Sequence, residues 1–360
     1  MLFVVPPSLR TEVTPNDLAT SPERGATLPA SDYAVLKRRI RAAGLLDKQP
    51  WYYALCISAN LAMLGLCLLL LLVLHNTGLI ALTAIALGLV SGQLGFQLHD
   101  AGHKQMFERN SLNDLVGYVT GDLLLGMSYG WWVEKHNRHH ANPNHVDFDP
   151  DINNLAIAYN QEQALERRGA LRWLAAYQAF AFFPMLFLLG VSMHASGISF
   201  LRSGKAKRPV LEVILLVVHA VVYVGALVFL MGPWLALLVI VIHKATGGFY
   251  MASVFAPNHK GMPQMDASTQ LDFLRTQVLT ARNVRSGAAT DLWYGSLNYQ
   301  IEHHLFPAMP RNRVRAAHQI VRAFCGEVSV PYYETSMIQS YRELLSFLHE
   351  VGRPLRTSQA

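Results

Sequence analysis

The chain has 360 residues, 52% of them apolar and only 15% charged, with a formal charge of +6. It is oilier and less charged than soluble globular proteins, which excludes a charge-rich disordered chain and makes an integral membrane protein the first expectation. Basic residues sit beside apolar runs instead of forming aromatic-interleaved stripes, so an anionic membrane surface is expected and nucleic acid is not; Cys56, Cys67 and Cys325 have no paired spacing and imply no disulfide framework.

Residues 1–50 are rich in Pro, Thr and Ser and end in Lys37, Arg38, Arg39, Arg41 and Lys48. No apolar core stands close to the start, so no secretory signal is expected and the segment reads as a retained cytoplasmic tail. Residues 51–74 carry no charge and are long enough, at about 1.5 Å per residue, to cross a hydrocarbon layer of roughly 30 Å. A second uncharged block, 79–98, follows His75-Asn-Thr-Gly78 and runs directly into His99, so the two form a hairpin. The basic cluster precedes the first span and the connecting turn has no Lys or Arg, which puts the amino terminus and His99 on the cytoplasmic face.

Residues 111–132 are mildly apolar, carry Asp114 and Asp122, and end in Trp131-Trp132; they are expected as an interfacial helix. Three more apolar segments follow, at about 171–200, 210–231 and 233–256. Gly232-Pro233 reads as the tight turn of a second hairpin. The first segment, with Pro184, His194 and several Gly and Ser, is expected to lie on the membrane surface or follow a re-entrant path, because only an even number of crossings keeps the histidines on one face. Residues 257–360 are polar and Arg-rich and read as a cytoplasmic cap, its last part, 311–360, a separate C-terminal segment.

Three histidine clusters carry the chemistry: His99-Asp-Ala-Gly-His103, His136-Asn-Arg-His139-His140 and Gln300-Ile-Glu302-His303-His304. A spacing of four puts His99 and His103 on one helical face, and spacings of three and four do the same for His136 with His139 and His140. Adjacent histidines point about 100° apart on a helix, so each such pair can serve two different ions. So many neutral nitrogen donors suit a first-row transition metal and not calcium or magnesium. Single H-x-x-x-H pairs arise by chance; three clusters on one membrane face do not.

In order, these clusters match the three histidine boxes of the membrane fatty acid desaturases, and the resemblance spans about residues 51–310. It implies an all-α integral membrane enzyme, two transmembrane hairpins (four spans) under a cytoplasmic helical cap, holding a non-haem di-iron centre that uses O2 to remove two hydrogens from an acyl chain. The glutamine opening the third box looks like the variant of front-end, acyl-lipid or linoleoyl-CoA desaturases. The resemblance carries a metal role to His99, His103, His136, His139, His140, His303 and His304, and to His259, which follows the second hairpin on the same face. Gln300 is a weaker ligand candidate. Asp100, Asp147 and Glu302 are expected to accept hydrogen bonds from outer ring nitrogens, with Asn258 and His145 as further neighbours.

An unactivated methylene has no acidic proton, so a metal-bound oxidant has to dehydrogenate it. No G-x-G-x-x-G after a strand, haem-binding segment or Cys cluster is present, so reducing equivalents are expected from a ferredoxin-, rubredoxin- or cytochrome-type donor with its reductase. The substrate is expected to be an acyl lipid or acyl-CoA, and the location a bacterial plasma membrane. Two alternatives remain at this stage: a hydroxylase of lipids, alkanes or carotenoids on the same scaffold, and a metal-binding membrane transporter or receptor. His219, His243 and Lys244 lie deep in the second hairpin, where an ionisable group either lines a cavity or bonds between helices. His75, His318 and His349 read as solvated, and Trp293, Tyr294 and Tyr299 as packing.

Overall fold

A computed structural model describes residues 31–153 and 155–357. The first part of the expected tail, 1–30, lies outside the described residues. Its remainder is no tail: α1 (Asp32–Ala42), capped by the Ser31 side chain, buries Leu36 and Ile40 in a cluster with Val278, Leu305 and Val321. Its basic residues occupy the opposite, exposed face, which explains why the charge run hid a packed helix.

Among the described residues three helices are long and apolar enough to cross a membrane. These are α2 (Pro50–Val73), α3 (Thr77–Gly102) and α10 (Pro209–His259). The outer faces of α2 and α10 leave Leu55, Leu69, Val221 and Phe229 exposed, as chains bathed in hydrocarbon require. The helix α10 is interrupted at Gly232, whose φ of +75° only glycine adopts without strain. The Tyr223 hydroxyl then reaches His243 Nδ1 at 2.6 Å, so the two halves lie side by side. Small residues let α3 and α10 approach closely: a side chain at Gly88 would meet Thr246, and one at Gly92 would overlap the Tyr250 ring.

The stretch expected as one interfacial helix is two. The helix α4 (Asn110–Tyr118) runs into a π-helical turn, Val119–Leu125, which ends at Gly126 with φ +70°. A new helix, α5 (Tyr129–Ala141), then starts with Ser128 as its cap, so Trp131 and Trp132 belong to the helix of the second histidine box. Short helices α6 (Gln161–Glu166) and α7 (Gly169–Ala176) follow. The helices α8 (Gln178–Leu186) and α9 (Leu189–Arg202) are bent by 76° at their junction, a break that fits a broken span as well as a re-entrant path.

The polar last third forms a helical layer against the ends of α3, α5 and α10. It comprises α11 (Phe273–Leu279), α12 (Ala288–Tyr294), α13 (Gln300–Leu305), α14 (Val314–Glu327) and α15 (Met337–Thr357). Its two strands, β1 (Asn283–Val284) and β2 (Glu334–Thr335), pair in parallel and are only two residues each. The helices α14 and α15 are amphipathic: α14 turns Val314, Ala317 and Val321 inward, and α15 buries Leu344, Leu348, Val351 and Leu355 against α7 and α8.

Candidate metal centre

Eight histidines converge where the ends of α3, α5 and α10 meet α13. His99 lies in the last turn of α3 and His103 caps it; α5 brings His136, His139 and His140, α10 ends on His259, and α13 brings His303 and His304. Donor atoms of His99, His103, His136 and His303 lie within 4.8 Å of one another, and those of His139, His259 and His304 form a second such set. His140 stands between them, its Nε2 3.1 Å from that of His136 and its ring stacked on His304 at 4.2 Å. Adjacent residues of α13 thus serve different sets, His303 the first and His304 the second.

The outer ring nitrogens are held by acceptors. Asp100 Oδ1 lies 3.2 Å from His99 Nδ1, and its other oxygen accepts from Arg311 Nε at 2.8 Å. Asp149, 1% exposed, takes His139 Nδ1 with both oxygens at 3.0 Å. The carbonyl of Thr280 accepts from His259 Nδ1 at 3.0 Å, and Gln277 Oε1 lies 2.8 Å from His304 Nδ1. A carboxylate and a carbonyl can only accept, so His139 and His259 carry their protons on Nδ1 and present bare Nε2 lone pairs.

The lone pairs of His139 and His259 face each other across 3.3 Å between their Nε2 atoms, and Nε2 of His99 is 3.2 Å from Nε2 of His303. Two imidazole lone pairs at that separation repel unless a cation lies between or beside them. Protonation does not supply it: burial, with neighbouring histidines adding to it, holds His103, His136, His140, His303 and His304 well below their ordinary 6.5. Among the described residues His103 Nε2, His140 Nδ1 and His304 Nε2 are buried with no hydrogen-bond partner. Orphaned nitrogens, facing lone pairs and a shell of acceptors make a donor set that fits transition-metal ions.

Several expectations need correction. Glu302 is fully buried but turns away from the histidines, accepting from Asn283 Nδ2 and the Tyr332 hydroxyl, both at 2.7 Å. Asp147 is exposed, and Asp149 stands where it was expected. His145 lies on that loop with its ring against Phe148 and no contact to the cluster. His318 is not solvated: it lies 3.7 Å from Glu302 and 3.2 Å from Glu334. Gln300 is near the second set, its Nε2 2.9 Å from His259 Nε2, and Asn258 holds its oxygen at 2.9 Å.

Arg311, Gln277, Thr280 and Trp132 were not foreseen. No spacing announces the first three, because each reaches the cluster from a separate segment. Trp132 stands four residues before His136 on one helix, a signal that was present; its ring stacks on that imidazole at 4.4 Å. Trp132 and Leu98 also line a cavity that continues between α3, α9 and α10.

Comparison with known proteins agrees in kind. The fatty acid desaturase family profile matches residues 76–336. An acyl-lipid (9-3)-desaturase of Physcomitrium patens is 30% identical over 89% of this chain, which spans 62% of that relative's length. A Delta(8)-fatty-acid desaturase of Euglena gracilis is 32% identical, covering 86% of this chain and 76% of its own. A Delta(5) fatty acid desaturase of Caenorhabditis elegans is 30% identical, covering 87% and 71%. All three sources are eukaryotic, which lends no support to the bacterial membrane expected from the sequence.

Proposed function

The chain belongs to the fatty acid desaturase family, oxidoreductases of lipid metabolism, and from that premise we propose that it introduces a double bond into the acyl chain of a lipid or acyl-CoA. The observation that carries the site assignment is the pair of Nε2–Nε2 approaches, 3.2 Å for His99 with His303 and 3.3 Å for His139 with His259, with accepting groups at the outer nitrogens of His99, His139 and His259.

In this reading His99, His103, His136 and His303 hold one iron, His139, His259 and His304 the other, and His140 lies between them. Irons held by these residues would supply the O2-dependent oxidising chemistry that removing two hydrogens from adjacent methylenes requires, with two electrons from an external donor and two protons completing the reduction of O2 to two waters. Asp100, Asp149, Thr280 and Gln277 set ring orientation and keep each inner nitrogen free of a proton. Arg311 holds Asp100 in place. Gln300 lies against His259 with its oxygen held by Asn258, and its amide N–H cannot share the one Nε2 lone pair that would bind iron; Glu302 braces the helix that carries His303 and His304 and touches no reacting atom.

The chain's own walls do the rest. Leu98 and Trp132, which neighbour the histidines, line the cavity, and its largely apolar lining suits an acyl chain. Four spans follow if α10 crosses twice about Gly232 and α8–α9 does not cross. The basic residues of α1 favour the cytoplasmic face for the histidines.

The test is expression in a host of known lipid content with a working electron donor, followed by mass-spectrometric mapping of new double bonds. The expected result is a new unsaturated acyl chain that disappears in His303→Ala. An unchanged fatty acid profile, or a hydroxylated product, refutes it.

A further inference from the structure

The first span contributes no histidine to the centre, yet one of its side chains is wired to it. Tyr53 stands in the first turn of α2, where a membrane tyrosine ordinarily keeps its hydroxyl in water. This residue is 1% exposed, its ring packed with Ala101 and Met106 at the end of α3. Its hydroxyl accepts from the Arg311 backbone N–H at 3.0 Å and donates to Gln105 Oε1 at 2.9 Å. A buried phenol with both roles filled ties the span to two other segments at one atom.

Both partners lead to the same set of histidines. The Arg311 guanidinium donates to Asp100 Oδ2 through Nε at 2.8 Å and through Nη2 as well, and Asp100 Oδ1 lies 3.2 Å from His99 Nδ1. Gln105 follows His103 by two residues in the turn that ends α3, and its Nε2 donates to the Pro307 carbonyl at 2.8 Å. Lys48 tightens the same joint, donating to the carbonyls of Lys104 at 2.6 Å and Ala308 at 3.1 Å. His99 and His103 both belong to the four-histidine set. The outer partners of the other set, Asp149, Thr280 and Gln277, come from elsewhere, and among the described residues no hydrogen bond joins them to Tyr53, Gln105, Arg311 or Asp100. The helix α13 carries ligands of both sets, but Glu302 braces it separately through Asn283 and Tyr332.

We propose that Tyr53 is a positioning residue for one metal ion of the two: its hydroxyl fixes Arg311 and the turn after His103, and through them the aim of His99 and His103. The set of His139, His259 and His304 does not depend on it. Removing that one oxygen leaves the Arg311 N–H and Gln105 Oε1 without their partners, so the short helical turn Arg311–Arg313 loses its anchor. The guanidinium then no longer holds Asp100 at a fixed place, and the His99 ring is free to turn about its outer nitrogen. The two ions of the centre are thus supported from different parts of the chain and fail separately.

This inference rests on the reading of the histidines as a two-ion centre, and the experiment separates the two. Metal-depleted full-length protein in detergent is titrated with Co2+ against a competing chelator, the visible spectrum reporting each ion. His99→Ala and His259→Ala assign the spectral changes to the two sets. Wild type is expected to take up two ions. Tyr53→Phe is expected to bind the ion of the His99 set roughly tenfold more weakly, the lower end of the effect of losing an outer partner, and the other ion with wild-type affinity. Asp100→Asn breaks the same connection at its far end and is expected to weaken the same ion. The double variant is expected to lose less than the product of the two single losses, because groups that act through one another do not add. Should Tyr53→Phe not fold, Gln105→Met, which cuts the branch to His103, is held to the same selectivity. Equal losses at both ions, wild-type affinity at both, or independent losses in the double variant overturn the proposal. A wild type that takes up no Co2+ overturns the metal-centre reading and this proposal with it.

Discussion

Replacing Asp149 by asparagine tests whether the site is organised as described. Each carboxylate oxygen of Asp149 has a backbone donor, Asn144 N on Oδ2 and Asp151 N on Oδ1, both at 2.8 Å, and both oxygens also lie 3.0 Å from His139 Nδ1. An asparagine has one oxygen, so in either orientation its NH2 group faces a backbone N–H. One buried main-chain donor loses its acceptor and His139 loses a charged partner, at about 1–3 kcal/mol each. We expect Asp149→Asn to unfold with roughly 2–6 kcal/mol less stability and to bind metal about 10–100-fold more weakly, the usual effect of losing an outer partner of a ligating histidine. The assay is titration of metal-depleted protein in detergent against a competing chelator, with thermal unfolding in parallel. Asp147→Asn, altering an exposed carboxylate two residues away, is the control. Wild-type metal affinity in Asp149→Asn, or a loss confined to Asp147→Asn, refutes the arrangement.

Two further predictions concern the brace behind α13. Glu302→Gln sets an NH2 group against either Asn283 or the Tyr332 hydroxyl; thermal unfolding is expected to show a loss of about 1–3 kcal/mol while iron content per chain stays at the wild-type value, and loss of iron without loss of stability would make Glu302 part of the centre after all. Hydrogen bonding to Glu302, opposed by burial and aided by Glu334, raises His318 above its ordinary 6.5. A raised histidine stabilises the fold fully below the unfolded value and ceases to do so as pH climbs through the folded one. The stability difference between metal-free wild type and His318→Gln is therefore expected to be constant below about pH 6.5 and to shrink above it; a difference that grows with pH contradicts the assignment.

The features legible in the sequence were those with a period or an uninterrupted composition. Charge-free runs marked α2 to within a residue and α3 to within four, and Gly232-Pro233 marked the break in α10. The four-residue spacing of His99 and His103 translated into rings 4.7 Å apart. What stayed hidden depends on side-chain direction in short or irregular segments. Asp147, Asp149 and Asp151 alternate along a loop, and nothing in that alternation says which one reaches His139. Every residue of α13 is buried, so no polar face reveals that Glu302 points away from its histidine neighbours. The basic run of residues 37–41 was read as a solvated tail because its buried partners, Leu36 and Ile40, are few. The π-helical turn left no mark, since one extra residue per turn does not alter an apolar pattern of seven.

That helix end has a use. The carbonyls of Leu123, Leu125 and Gly126 lie in the last turn, past the final helical donors, and they accept His219, Lys244 and His194. Three polar side chains can then reside inside an oily bundle on main-chain acceptors that the end of a single helix leaves over.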